Sequence, residues 1–123
     1  MENYNATLKD GREIYIPSWP ASVQFENLTT ACKYLGQNNV INISYLNVAA
    51  AMLAVMNADQ PKDTTAMVLH FVQQARVDGK KITKDSMDEL GINIIIELFT
   101  HVIHSQYNSF FESGLVKEPS QDK

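Results

Sequence analysis

The chain has 123 residues, of which 45% are hydrophobic and 20% charged, and its formal net charge at pH 7 is −4. This is the length of one ordinary domain, and the composition is average for a soluble protein, which excludes a wholly disordered chain. The acidic net charge argues against nucleic acid as the partner. A single cysteine excludes an internal disulfide, and the longest apolar run, residues 48–56, is too short to span a membrane. The polar first residues lack the order of a signal peptide, so we expect a soluble cytoplasmic protein.

Residues 1–17 are predicted to form a β-hairpin. Asp10-Gly11 is a strong turn signal, because glycine adopts positive φ without steric cost. Apolar residues alternate with polar ones on both sides of this turn; they are Tyr4, Ala6, Leu8, Ile14 and Ile16. An isolated two-stranded hairpin is marginally stable in water, so we expect this one to pack on helices.

Helices are predicted over residues 27–111. Asn27 is a suitable N-cap for a first helix that ends at Gly36. A loop over residues 37–39 and a short extended segment over residues 40–43 are expected to follow. The second helix, about Ser44 to Ala58, is apolar on nearly every side, which is typical of a helix buried in a core or an assembly.

Three further helical segments follow, separated by turn residues. Asp63 can cap a third helix from about Thr64 to Val77, and residues 78–81 are predicted to form a turn. Thr83 can cap a short helix, and Gly91 separates it from a long last helix over about residues 92–111. The expected fold is mainly α: a small helical bundle with an N-terminal β-hairpin, one domain over residues 1–113, and a flexible tail over residues 114–123.

The most suggestive polar cluster for chemistry is Glu97, His101 and His104, whose spacing places them on one helical face. Imidazole and carboxylate are ligands for zinc and similar ions, and His70 could supply a fourth ligand from another helix. However, H-x-x-H is common by chance and the metalloprotease pattern H-E-x-x-H is absent. We therefore predict no metal site and no cofactor.

No other pattern points to catalysis. Cys32 occupies an apolar helix position, where a reduced cysteine acts as a small hydrophobe. The basic cluster is diluted by aspartates and is typical of a solvated turn; it consists of Arg76, Lys80, Lys81 and Lys84. Glycine-rich phosphate loops and the G-x-S-x-G nucleophile motif are absent. The sequence predicts no catalytic residue and hence no enzyme.

Surplus apolar surface favours a protein-binding module. The second helix is rich in alanine and methionine, and methionine offers adaptable contacts to a partner. At the aromatic end of the last helix, Phe110 and Phe111 point about 100° apart, so only one of them can readily lie at the centre of a core face.

The order of these elements resembles a known family. The quoted parts are the β element Leu8–Pro17, the apolar helix Val48–Met56 and the last helix ending in His104–Phe111. Together they are similar to the tail assembly chaperones of long-tailed bacteriophages. The resemblance implies a non-enzymatic protein of the host cytoplasm that binds the tape measure protein, can recruit tail tube subunits, can form homo-oligomers and is absent from the finished virion.

If the resemblance holds, the surplus apolar surface suggests a mechanism, in which an amphipathic tape measure helix lies in a groove lined by parts of the second and last helices. The candidate contacts are Met52, Met56, Phe99, Phe110 and Phe111. Two alternatives stay open: a baseplate, hub or minor structural protein of the phage, and a small helical regulator that binds a host protein.

Overall fold

The computed structural model describes residues 3–115, which form four short strands, six α-helices and one π-helical turn. The strands are β1 (Tyr4–Thr7), β2 (Glu13–Ile16), β3 (Arg76–Val77) and β4 (Lys80–Lys81). The helices are α1 (Ala21–Leu35), α2 (Gln37–Ile43), α3 (Val48–Met56), α4 (Pro61–Val72), α5 (Lys84–Leu90) and α6 (Ile92–Phe110), and the π-helical turn is Phe111–Leu115. The fold is mainly α with an N-terminal antiparallel hairpin, as predicted.

The predicted N-terminal hairpin is part of a larger sheet with strand order β1-β2-β3-β4, antiparallel throughout. The turn between β1 and β2 closes at Gly11, whose φ of 95° lies in the region that favours glycine. The second hairpin, β3–β4, was predicted as helix followed by a turn. It forms because β2 has a free edge: Val77 pairs with Ile14, and the Asp78 N–H donates to the Glu13 carbonyl at 2.7 Å.

The predicted start of the first helix is wrong. α1 begins at Ala21, directly after Pro20, and Asn27 lies buried in the helix interior rather than capping it. Proline suits this place because its ring fixes φ and its missing N–H is not needed before the first turn. The end is confirmed: Gly36 follows Leu35 with φ 93° and ends α1.

The predicted loop and extended segment over residues 37–43 are replaced by the helix α2. Val40 and Ile43 lie three positions apart on its buried face, and this packing outweighs the weak helix propensity of the segment. Ser44 is buried and its hydroxyl donates to the Ile41 carbonyl. Asn47, whose side chain accepts the N–H of the residue three positions ahead, caps the next helix, α3.

The later helices follow the predicted pattern with one shifted start. α4 begins with Pro61 in its first turn, where proline is favoured, so Asp63 lies inside the helix. Its apolar face is buried; the residues are Met67, Val68, Phe71, Val72 and the adjoining Ala75. Thr83 caps α5 in a reciprocal capping box with Ser86, and Gly91, at φ 85°, separates α5 from α6.

The long helix α6 is the centre of the core. It contacts α2, α3, α4 and α5. Where it packs on α4, the ring of its Phe99 meets the ring of Phe71 edge to face, with 5.5 Å between the ring centroids. Of the predicted tail, residues 114 and 115 belong to the π-helical turn, and residues 116–123 lie outside the described residues. Among the described helices, none has the length and hydropathy needed to cross a bilayer.

Gln106 ties the segment between the hairpin and α1 to the central helix. This buried amide accepts the Trp19 N–H at 3.1 Å and donates to the Pro17 carbonyl at 2.9 Å. The two bonds satisfy backbone groups that lie outside any helix or strand, and they fix where the hairpin leaves the bundle.

Candidate functional site

The helix α3 exposes apolar side chains on most of its surface. Its closely packed side consists of Ala51 and Ala54, three positions apart, which let the helix lie near α6. On its other sides Met52 is 45% exposed, Leu53 57% and Met56 74%. Of the two predicted environments for this helix, a core or an assembly, the monomer's core covers only one side, which leaves an unpartnered apolar surface.

A groove of about 430 Å³ lies between α3 and the beginning of α6. Its walls include Val48, Met52 and Met56 of α3, Ile92 and Ile96 of α6, and Lys9 from the turn of the N-terminal hairpin. We call this feature the α3–α6 groove. Because Met56 and Ile92 are 74% and 77% exposed, it is an open trough rather than a closed pocket.

The apolar surface continues beyond the α3–α6 groove. A second hollow of about 280 Å³ lies against α4, α5 and α6 and shares Val55, Ile92 and Ile96 with the groove. The two hollows meet at the first turn of α6. An occupant of the groove could therefore extend along the same surface towards α5.

A buried carboxylate fixes one end of the groove. Glu97 is only 7% exposed, lines the groove and accepts the backbone N–H of Lys9 at 2.9 Å. This hydrogen bond holds the hairpin turn against α6, so the turn forms an end wall. Within residues 3–115 the one ion pair joins Arg12 and Asp10 at 3.1 Å, and Glu97 has no cationic partner there.

The two histidines of the predicted cluster also hold other parts of the fold. The Tyr4 hydroxyl lies 2.8 Å from Nδ1 of His101, and Nδ1 of His104 lies 2.8 Å from the Ser44 carbonyl oxygen. Burial lowers the pKa of His101 below its ordinary value, although the neighbouring Glu97 acts to raise it. A neutral His101 fits its contact with Tyr4.

Glu97, His101 and His104 share a helical side, as predicted, but they do not converge on a common point. In the described part of the chain no group of three or more histidine, cysteine or carboxylate side chains is placed to hold a metal ion. His70 lies exposed on α4 and does not join the three. The arrangement connects the hairpin and residue 44 to α6.

The other polar candidates lie apart from the groove. Cys32 is half-buried on α1, and burial raises the pKa of its thiol, which disfavours the nucleophilic thiolate. The basic residues of the predicted cluster are exposed on the β3–β4 hairpin and at the start of α5. Neither feature adds a group to the α3–α6 groove.

The predicted contact residues do not form one surface. Met52 and Met56 line the groove, but Phe99 and Phe111 are 0% and 5% exposed and belong to the core, so their prediction as surface contacts is wrong. Phe99 lies on the buried stripe of α6, where residues three and four apart face the bundle. As expected for adjacent aromatics, one of the pair, Phe110, remains exposed.

Phe110 lies at the opposite end of α6 from the groove, about 27 Å from Ile92 along the helix axis. It lines a small hollow with Phe25 of α1, which is 67% exposed. We call this second surface the Phe25–Phe110 patch. Sequence reasoning identified neither Phe25 nor Ile92 as an exposed residue, because the apolar periodicity of a helix does not show where its packing partners end.

Comparison with known proteins identifies a family. The chain matches the family model described as phage tail assembly chaperone protein, TAC, over residues 10–117. No curated protein and no solved structure matches it. The matched region includes all of α3 and α6, the two helices that line the groove.

Proposed function

The chain belongs to the phage tail assembly chaperone family, and from this premise we propose that it binds the tape measure protein in the α3–α6 groove. By covering apolar helical surface of that long chain, it keeps the tape measure protein soluble until tail tube subunits polymerise around it. The protein acts in the host cytoplasm and leaves before the virion is complete.

The observation that supports this proposal is the unpartnered apolar groove. α3 is nine residues long, so its wall extends over about 12 Å, which matches roughly two turns of a bound helix. Helices bound in such grooves use apolar anchors at positions i, i+3 or i+4, and i+7. The flexible side chains of Met52 and Met56 suit a partner whose successive segments differ in shape.

This role needs neither a catalytic residue nor a cofactor, because burying and releasing apolar surface is sufficient. It also leaves a second surface available. The Phe25–Phe110 patch lies at the far end of α6, where a tail tube subunit could be recruited without competing for the groove.

Co-expression with a tape measure fragment from the same phage tests the proposal. We expect the fragment to move into the soluble fraction with the wild-type chain and to remain insoluble with Met56→Asp, which puts a charge in the groove. Leu53→Asp is the matched control, because Leu53 is exposed on the same helix but does not line the groove. Solubility that is unchanged by the wild-type chain would refute the proposal.

Two further measurements separate the alternatives. Detection of the chain in purified phage particles would favour a baseplate, hub or minor structural protein over a chaperone. Size-exclusion chromatography with light scattering distinguishes a monomer from a homo-oligomer that covers α3 with a second copy.

A further inference from the structure

We propose that the α3–α6 groove selects helical segments that have a lysine or arginine on their apolar face, and that Glu97 receives this cation. The inference rests on the proposed function, since it states what a tape measure segment must contain to occupy the groove. It makes Glu97 a residue that determines specificity, whereas the methionines supply apolar contact.

The first support is the position of the Glu97 carboxylate. The side chain is more than nine-tenths buried, yet it lines the groove. One of its oxygens accepts the Lys9 N–H, and no other hydrogen bond to the carboxylate occurs within residues 3–115. A buried carboxylate is costly unless a cation and further hydrogen bonds compensate it, so an occupant that supplies a cation is favoured over one that does not.

The charged neighbours of Glu97 do not supply that cation. The Lys9 side chain is exposed and forms no ion pair in the described part of the chain, and the Arg12 guanidinium is paired with Asp10. His101 lies one helical turn further along α6, but its burial favours the neutral imidazole. Within residues 3–115 the carboxylate therefore lines the groove without an ion-pair partner.

Charge complementarity also decides between possible occupants. One exposed apolar helix that a second copy could offer is α3, whose nine residues contain no lysine or arginine. A second copy that placed its α3 in the groove would leave Glu97 without a cation. The net charge of −4 attracts a basic segment, and a long basic side chain can lie along apolar surface while its charged end reaches the carboxylate.

Overlapping peptides of about 20 residues from the tape measure protein, titrated onto the purified full-length chain by fluorescence anisotropy, test this inference. We expect the tightest binders to contain a lysine or arginine within an apolar helical face. Replacing that residue by glutamine should weaken binding to the wild-type chain by about 30-fold, since it leaves a buried carboxylate without its partner.

Glu97→Gln gives the matched test on the chaperone. The amide retains an acceptor for the Lys9 N–H but removes the charge, so this variant should bind the basic peptide and its glutamine form with equal affinity. Glu89→Gln is the control: Glu89 is exposed on α5 and does not line the groove, so the loss of its charge should change the dissociation constant by less than about threefold.

The outcomes separate this inference from the proposed function. If the glutamine peptide binds the wild-type chain as tightly as its parent, the inferred selection of a cation is wrong. If Met56→Asp nevertheless abolishes peptide binding, the groove still binds the tape measure protein and the proposed function holds. If no peptide binds, both proposals fail. A wild-type dimer that Met56→Asp converts to a monomer would identify a second copy as the occupant and overturn the inference. The peptide substitution needs only the wild-type chain, so the test holds even if Glu97→Gln does not fold.

Discussion

Replacing Met56 by alanine measures how much binding free energy the exposed wall of the α3–α6 groove supplies. The side chain is 74% exposed, so most of its apolar surface remains to be buried by a partner. Complete burial of a methionine side chain contributes about 1.5–3 kcal/mol, and three-quarters of this is roughly 1–2 kcal/mol. We therefore expect the Kd for a tape measure peptide to rise by about 5- to 30-fold.

Isothermal titration calorimetry gives this Kd, and urea unfolding of the same variant tests whether the fold is intact. Because the side chain contacts little in the free protein, the free energy of unfolding should change by less than about 0.5 kcal/mol. Leu53→Ala alters the same helix outside the groove and should leave the Kd unchanged. The reasoning is refuted if Leu53→Ala weakens binding as much as Met56→Ala, or if Met56→Ala leaves the Kd as it was.

Three further predictions concern the framework that positions the groove. Phe99→Ala should lower the free energy of unfolding by about 3–5 kcal/mol because it empties a fully buried site, whereas Phe110→Ala should lower it by less than about 1 kcal/mol. Equal losses in urea unfolding would contradict the burial of Phe99 and the exposure of Phe110. Gln106→Leu should cost about 2–4 kcal/mol, because it leaves two hydrogen-bonded backbone groups without partners, and an unchanged urea midpoint would show that these bonds are unimportant. The free energy of unfolding should fall as the pH is lowered from about 7.5 to 5.5, because burial lowers the pKa of His101 and the unfolded chain therefore binds more protons than the folded chain. His101→Asn should make this fall smaller. An identical pH dependence in the variant would contradict the assignment of the fall to His101.

Local signals in the sequence predicted those parts of the fold that neighbouring residues determine. Asp10-Gly11 marks the first turn, Gly36 ends α1, and Thr83 caps α5, each through backbone geometry within a few residues. The elements that were missed depend on distant contacts. β3 forms by pairing with β2, more than sixty residues earlier in the chain, and α2 is a helix because its apolar side packs on the bundle.

The residues of the candidate site also fall into those that local sequence patterns predict and those that depend on distant contacts. Met52 and Met56 were predicted because an apolar helix with small residues has more apolar surface than one core face can cover. Phe99 was wrongly predicted to contact a partner, because the apolar periodicity of a helix does not show whether its apolar stripe is buried in the core or exposed. The place of Glu97 in the groove depends on the backbone of Lys9, 88 residues earlier in the chain, and no local pattern indicates such a contact.

Hydrogen–deuterium exchange on the full chain, with and without a saturating tape measure fragment, tests the central claim most directly. We predict that the fragment slows amide exchange in residues 48–56 and 92–97, which form the two long walls of the α3–α6 groove, and leaves the ends of α1 and α6 near the Phe25–Phe110 patch unchanged. Slower exchange at that patch, with α3 unchanged, would place the tape measure protein elsewhere and contradict the account.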